Sequence, residues 1–156
     1  MKKTVYLDAT ILSFLYDNRE SIAYLIQITQ EWWRTQRKFY QLFLSSETIR
    51  EISQGDYPLK DKVIELSLTI NQLEINNRII EIAETYIENH IMPQSLSGDA
   101  LHLATASFYK VDFLLTWNYK HLANGNKRQH IRIINTRLGL FTPEILTPLE
   151  LLSEEE

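Results

Sequence analysis

Three carboxylates in this 156-residue chain stand where a fold could gather them. Asp8 ends the apolar run Val5-Tyr6-Leu7. Asp99 follows Gly98 and opens the apolar stretch from Ala100 to Ala106. Glu51 lies in Ile49-Arg50-Glu51-Ile52, shortly before Gly55. Acids brought together repel and raise one another's pKa unless a cation neutralises them. Hard oxygen ligands in a chain without cysteine favour Mg²⁺ or Mn²⁺ over zinc. Such an ion can orient a water, lower its pKa and neutralise a phosphate with its departing oxygen. The chemistry on offer is phosphodiester hydrolysis.

Other chemistries fail on spacing. The four glycines form neither a P-loop nor a dinucleotide fingerprint. A G-x-S-x-G elbow and an H-E-x-x-H helix are both missing. Asp8-Ala9-Thr10 lacks the second acid, two residues on, that a dehalogenase-type phosphatase would use. The absence of cysteine excludes a disulfide scaffold and a thiol nucleophile, and it fits a reducing compartment.

Composition sets the outer bounds. With 44% apolar residues the chain is globular and long enough for one domain with a real core. Residues 1–152 read as a single domain and 153–156 as an acidic tail expected to fray. An acid at position 8 precedes any signal-peptide apolar region, and no apolar run approaches a membrane span, so the expected location is cytoplasmic. Net charge is −4, yet Phe113 to Pro143 holds no Asp or Glu. That stretch carries Lys120, Lys127, Arg128, Arg132 and Arg137, a local basic face suited to an anionic polymer or simply to solvent.

The elements that must position the acids follow from periodicity. Strands are predicted over Lys3–Leu7, Phe39–Leu44, Leu68–Ile75, Phe113–Thr116 and Ile131–Ile134. One helix or helical turn starts near Thr10. A second follows a Ser21 cap through Trp32 and Trp33, which extend its apolar stripe as core or dimer contacts. A third is capped by Ser45 or Ser46 and runs to Ile52, stopped by Gly55. Pro58 suits the first turn of the next, Arg78 to His90 is amphipathic, and Met92-Pro93 breaks it. A buried helix, capped by Ser95 or Ser97, then runs from Asp99 to about Tyr109. Asn124-Gly125-Asn126 reads as a turn. Strands alternating with helices imply an α/β fold whose parallel sheet is covered on both faces. Ligands of such a sheet bind beyond the carboxyl ends of its strands, where strand order reverses. Asp8 ends one strand and Asn118 lies just past another.

Val5-Tyr6-Leu7-Asp8-Ala9-Thr10, Glu51-Ile52 with Gly55, the stretch from Gly98 to Ala106, and Leu114-Leu115-Thr116-Trp117-Asn118 together resemble the PIN-domain ribonucleases. Within them the chain is most similar to VapC-type toxins of prokaryotic toxin–antitoxin pairs, and the ordered set spans nearly its whole length. The resemblance implies a PIN-like three-layer α/β/α domain with a parallel sheet of four to five strands, often dimeric. It implies a Mg²⁺- or Mn²⁺-dependent endoribonuclease acting on RNA and held in check by an antitoxin protein. It carries the family's acids onto Asp8, Glu51 and Asp99, with polar roles for Thr10 and Thr116. The family's usual fourth acid falls in the Thr116 to Tyr119 region, where this chain offers Asn118; a neutral ligand there weakens a second metal position.

Each residue also has a plainer reading. Asp8 could cap the short helix near Thr10, and Asp99 could be a first-turn acid favoured by the helix dipole. Glu51 could be a solvated helix residue, and Glu47, one turn earlier, competes for its role. His102, three residues after Asp99, reads as a hydrogen-bonded core histidine before a ligand or base. Asn118 could be a strand-end turn residue. Lys120, Lys127 and Arg128 could hold RNA phosphates or belong to a solvated loop. The alternative function is a catalytically inactive PIN-like interaction or RNA-binding domain.

Overall fold

The computed structural model describes residues 1–92 and 98–152. Pro93, the candidate caps Ser95 and Ser97, and the tail 153–156 lie outside the described residues. Five strands form one sheet: β1 (Lys3–Leu7), β2 (Tyr40–Ser45), β3 (Asn71–Leu73), β4 (Phe113–Leu115) and β5 (Glu144–Leu146). Their order is β3-β2-β1-β4-β5, and every pairing is parallel. The helices are α1 (Ala9–Phe14), α2 (Ala23–Thr35), α3 (Ser46–Ile52), α4 (Lys60–Ser67), α5 (Asn77–Glu88), α6 (Gly98–Phe108) and α7 (Gly125–Arg137).

Side chains alternate across a strand, and here the alternation sorts the core into two halves. Val5 and Leu7 of β1, with Phe113 and Leu115 of β4, face a cluster closed by residues of α1 to α4, including Ile11, Ile28, Trp32, Ile52 and Val63. Tyr6 and Leu114 face the opposite cluster, closed by α5, α6 and α7. The result is a three-layer α/β/α sandwich. Each apolar side chain taken wholly out of water contributes about 1.5–3 kcal/mol before entropy is counted. On α5 the buried set Ile79, Ile82, Ala83 and Tyr86 has the spacing of one helical stripe. α6 is buried nearly all round, as its run of Leu and Ala predicts.

Buried polar groups tie the layers. Tyr86 donates to Asn135 Oδ1 at 2.6 Å, and Asn135 Nδ2 donates to Ser107 Oγ at 3.0 Å, so α5, α7 and α6 share one network. Trp117 Nε1 donates to Thr29 Oγ1 at 2.7 Å and fixes the segment after β4 against α2. Trp32 is fully buried in the core. Trp33 is half-buried, with the Arg37 guanidinium 4.1 Å above its ring.

Several predicted elements differ. Ile131–Ile134 is helical, not a strand. Asn124 accepts from the Lys127 N–H and caps α7, and Ile131 and Ile134 are buried on that helix one turn apart. Asn124-Gly125-Asn126 is therefore a helix start. The fifth strand is Glu144–Leu146, directly after Pro143. The third strand shrinks to Asn71–Leu73. Ser21 caps nothing: it lies in a 3₁₀ turn, Glu20–Ile22, that leads into α2. Pro58 precedes the α4 start, where Leu59 takes a left-handed conformation.

Candidate functional site

The order β3-β2-β1-β4-β5 reverses direction between β1 and β4, and the acids collect around the carboxyl ends of those two strands. Asp8 leaves β1 with extended backbone and caps α1: its Oδ1 accepts from the Thr10 N–H at 3.0 Å and from Thr10 Oγ1 at 2.5 Å. Its Oδ2 accepts from the Thr116 hydroxyl, at the end of β4. Thr10 Oγ1 also accepts from the Trp117 N–H at 3.1 Å. Two hydroxyls thus clasp one buried carboxylate between adjacent strand ends. The cap reading of Asp8 and its place in the acidic group hold together. Burial raises Asp8 above the usual carboxylate range; nearby His102 and the two threonine hydroxyls oppose that rise, and Glu51 adds to it.

Asp99 sits in the first turn of α6, and its Oδ2 accepts from Asn118 Nδ2 at 2.9 Å. Its pKa too is raised, first by burial, with His102 and Asn118 opposing and Glu51 reinforcing. Asn118 is oriented by its other atom. Oδ1 accepts from the N–H groups of Lys120 at 3.1 Å and His121 at 3.0 Å, so the amide nitrogen must face Asp99. Asn118 is both a turn residue and a neighbour of the acids, and it meets Asp99 with a donor.

Glu51 projects from α3, whose N-terminus Ser45 caps. Its carboxylate lies over Gly98; a Cβ there would stand 2.7 Å from Glu51 Cδ. Its Oε1 is bonded to His102 Nε2. Glu47, the rival acid, is paired with Arg50 instead. His102 is buried and spends its other nitrogen, Nδ1, on the Tyr6 hydroxyl 2.6 Å away. Burial alone would pull its imidazole down, but Tyr6, Glu51 and Asp8 together hold it well above the ordinary histidine value. His102 is therefore held at both ring nitrogens, between Tyr6 of β1 and Glu51 of α3. Tyr6 carried no sequence signal beyond being a polar side chain within the apolar run Val5-Tyr6-Leu7.

The donor chemistry, carboxylate oxygens made costly by burial, suits a hard divalent cation. Among the described residues, no three His, Asp or Glu side chains stand together as a ready metal-holding group. Glu51 is turned to His102 instead. Asp8 and Asp99 could hold such an ion, with Glu51 beside it.

The basic stretch is partly committed elsewhere. Lys127 Nζ donates to the Ile91 carbonyl. Arg128 donates to the Ile145 carbonyl at 3.0 Å and pairs with Glu150. Lys120 is exposed. A cavity of about 420 Å³ adjoins Glu51, walled by Ala9, Tyr16, Ile52 and Tyr57, with Asp17 and Arg19 also lining it.

Two solved structures share the architecture. A toxin–antitoxin complex from Klebsiella pneumoniae contains a chain that superposes with a TM-score of 0.61 at 20% identity, covering 93% of this chain and 98% of that one. VapBC2 from Rickettsia felis, bound to a DNA fragment from their promoter, contains one with a TM-score of 0.58 at 12% identity, covering 92% and 98%. Among protein-family models and curated proteins, no match to this sequence was found. The fold is the PIN-like three-layer α/β/α arrangement of VapC-type proteins.

Proposed function

We propose that this chain is a divalent-metal-dependent endoribonuclease and the toxin of a toxin–antitoxin pair. The observation that supports the reading is that Asp8, at the end of β1, and Asp99, bonded to Asn118 just past β4, each interact electrostatically with Glu51 and His102 near the strand-order reversal of a PIN-like sheet. Asp8 and Asp99 would hold Mg²⁺ or Mn²⁺. When bound, the ion supplies charge neutralisation at the phosphate and a more acidic water. Thr10 and Thr116 keep the Asp8 carboxylate oriented through their hydroxyls. Asn118 keeps Asp99 in place through its amide. Glu51 receives the proton of the attacking water. Lys120 offers an exposed cation to the RNA backbone, whereas Lys127 and Arg128 serve α7 and its neighbours.

An antitoxin segment would fit the cavity beside Glu51 and block the approach to the acids. A homodimer accompanies this reading, and sedimentation of the purified chain tests it. No helix among the described residues is long and apolar enough to cross a membrane.

Incubation with transfer, ribosomal and messenger RNA, with Mn²⁺ or a chelator, tests the activity. Metal-dependent cleavage that disappears in Asp99→Asn is expected; undiminished cleavage by that variant would refute the assignment. One observation favours a second reading, an inactive interaction domain: Asn118 brings a donor, not a fourth acid, to Asp99. Absence of any thermal stabilisation at millimolar Mn²⁺ selects it.

A further inference from the structure

His102 lies in a closed loop of hydrogen bonds that begins and ends on α3. Ser45 Oγ caps α3 by accepting from the Glu47 N–H at 3.2 Å. The same Ser45 Oγ lies 2.7 Å from the Tyr6 hydroxyl. Tyr6 lies 2.6 Å from His102 Nδ1, and His102 Nε2 reaches back to Glu51 Oε1, on α3 again. Tyr6, His102 and Ser45 are buried, while the Glu51 side chain is 29% exposed. Glu51 thus has one oxygen anchored in the interior. Among the described residues, the other oxygen, Oε2, carries no hydrogen bond. Gly98 lets the carboxylate lie flat against the start of α6, next to Asp99.

Resting on the nuclease reading above, we infer that Tyr6 and His102 are positioning residues that aim Glu51 Oε2 at the attacking water and keep Glu51 from ligating the metal directly. As the water oxygen bonds to phosphorus, its proton passes to Glu51 Oε2. The bridging P–O bond breaks, and the departing ribose oxygen takes a proton from solvent. His102 does not touch the reacting atoms; it acts through Glu51. A carboxylate tethered at one oxygen loses less freedom in reaching the transition state than a free one.

The loop makes a prediction that a merely structural histidine does not. His102→Leu should lower kcat by about 10- to 100-fold, the usual cost of losing an orienting partner. KM for RNA should stay within about threefold of wild type, and the Mn²⁺ affinity measured by calorimetry should hold or rise, because losing the imidazole that acts on Asp8 and Asp99 removes a competitor for a cation and no ligand. His102→Gln, which can still donate to Glu51, should restore part of kcat. Tyr6→Phe should fall between. Should His102→Leu fail to fold, His102→Gln and Tyr6→Phe carry the same comparison. Mn²⁺ affinity falling in step with kcat would overturn the inference, since Glu51 would then be a ligand. An unchanged kcat would overturn it as well. A crystal structure of His102→Leu separates this failure from failure of the nuclease reading: a Glu51 carboxylate still seated on Gly98 sinks the positioning role whatever the activity. Wild-type protein that cuts no RNA sinks the nuclease reading alone.

Discussion

The Glu51 carboxylate occupies the space that a side chain at position 98 would need. A Cβ on Gly98 would lie 2.7 Å from Glu51 Cδ and Oε1, and 2.8 Å from Oε2. The helix itself would accept alanine, which is worth up to about 1 kcal/mol over glycine. The displaced Glu51 would however leave the buried His102 Nε2 unpaired, which costs about 1–3 kcal/mol, so Gly98→Ala should lower the melting temperature while pushing Glu51 away from Asp99. RNA cleavage should fall by about 10-fold or more. Melting curves and cleavage rates on one preparation check this, and wild-type turnover in the variant would contradict it.

Asp8 is a buried carboxylate whose charge is costly in the metal-free protein. Asp8→Asn removes that cost and keeps an oxygen to accept from Thr10. The variant should be more stable at pH 7 by about 0.5–2 kcal/mol, the usual gain when a functional group is relaxed. For a chain this size each kcal/mol moves the melting temperature by about 2–4 °C. Millimolar Mn²⁺ should stabilise wild type and leave the variant unmoved. A variant less stable than wild type without metal would count against the argument.

The shifts at Asp8, Asp99 and His102 all point upward. A group whose folded pKa is raised contributes stability that is fully present below its unfolded pKa and lost as pH rises through the folded one. For the two aspartates the loss begins above about 3.9, and for His102 above about 6.5. Metal-free protein should therefore be more stable at pH 6 than at pH 8.5. Urea titrations at the two values, in chelator, measure it. Added Mn²⁺ should narrow the gap by stabilising the ionised carboxylates.

Asn118→Asp keeps the oxygen that accepts from Lys120 and His121 but turns a carboxylate toward Asp99. Like charges at hydrogen-bond distance raise one another's pKa, so the metal-free variant should melt below wild type at neutral pH. Mn²⁺ should then raise its melting temperature by more than it raises that of wild type. A smaller response in the variant would mean that position 118 lies outside the ion's reach.

Much of the fold is local chemistry and could be read directly. β1 ends at Asp8 because Val5, Tyr6 and Leu7 alternate across a sheet buried on both faces. α5 shows its stripe in plain spacing. The last third misled. Asn124-Gly125 has the composition of a turn, yet the Asn124 side chain caps a helix. Ile131-Arg132-Ile133-Ile134 is too short a run for period two and period 3.6 to be separated. β5 has three residues with one, Ile145, fully inward, which leaves no period to detect.

Only the resemblance favoured Glu51 over Glu47, whereas Asp8 and Asp99 were nameable from the residues, since one ends and the other opens an apolar segment. The contact between His102 and Tyr6 was not, because it spans 96 residues and depends on which face of β1 meets α6. The commitment of Lys127 and Arg128 to backbone carbonyls is hidden for the same reason. Charge counts show that cations are present; only three-dimensional packing shows which are spoken for.

Asp8 and the hydroxyl that closes on it, Thr116, are 108 positions apart, and β4 must pair with β1 before they meet. A nascent chain that stops between residue 99 and β4 already carries residues 8, 51 and 99, yet it has no scaffold to seat the first of them. Aborted translation products would thus be inert without any inhibitor. On the toxin reading proposed above, only chains that reach nearly full length would do harm, so the demand for a neutralising partner would follow completed synthesis rather than initiation.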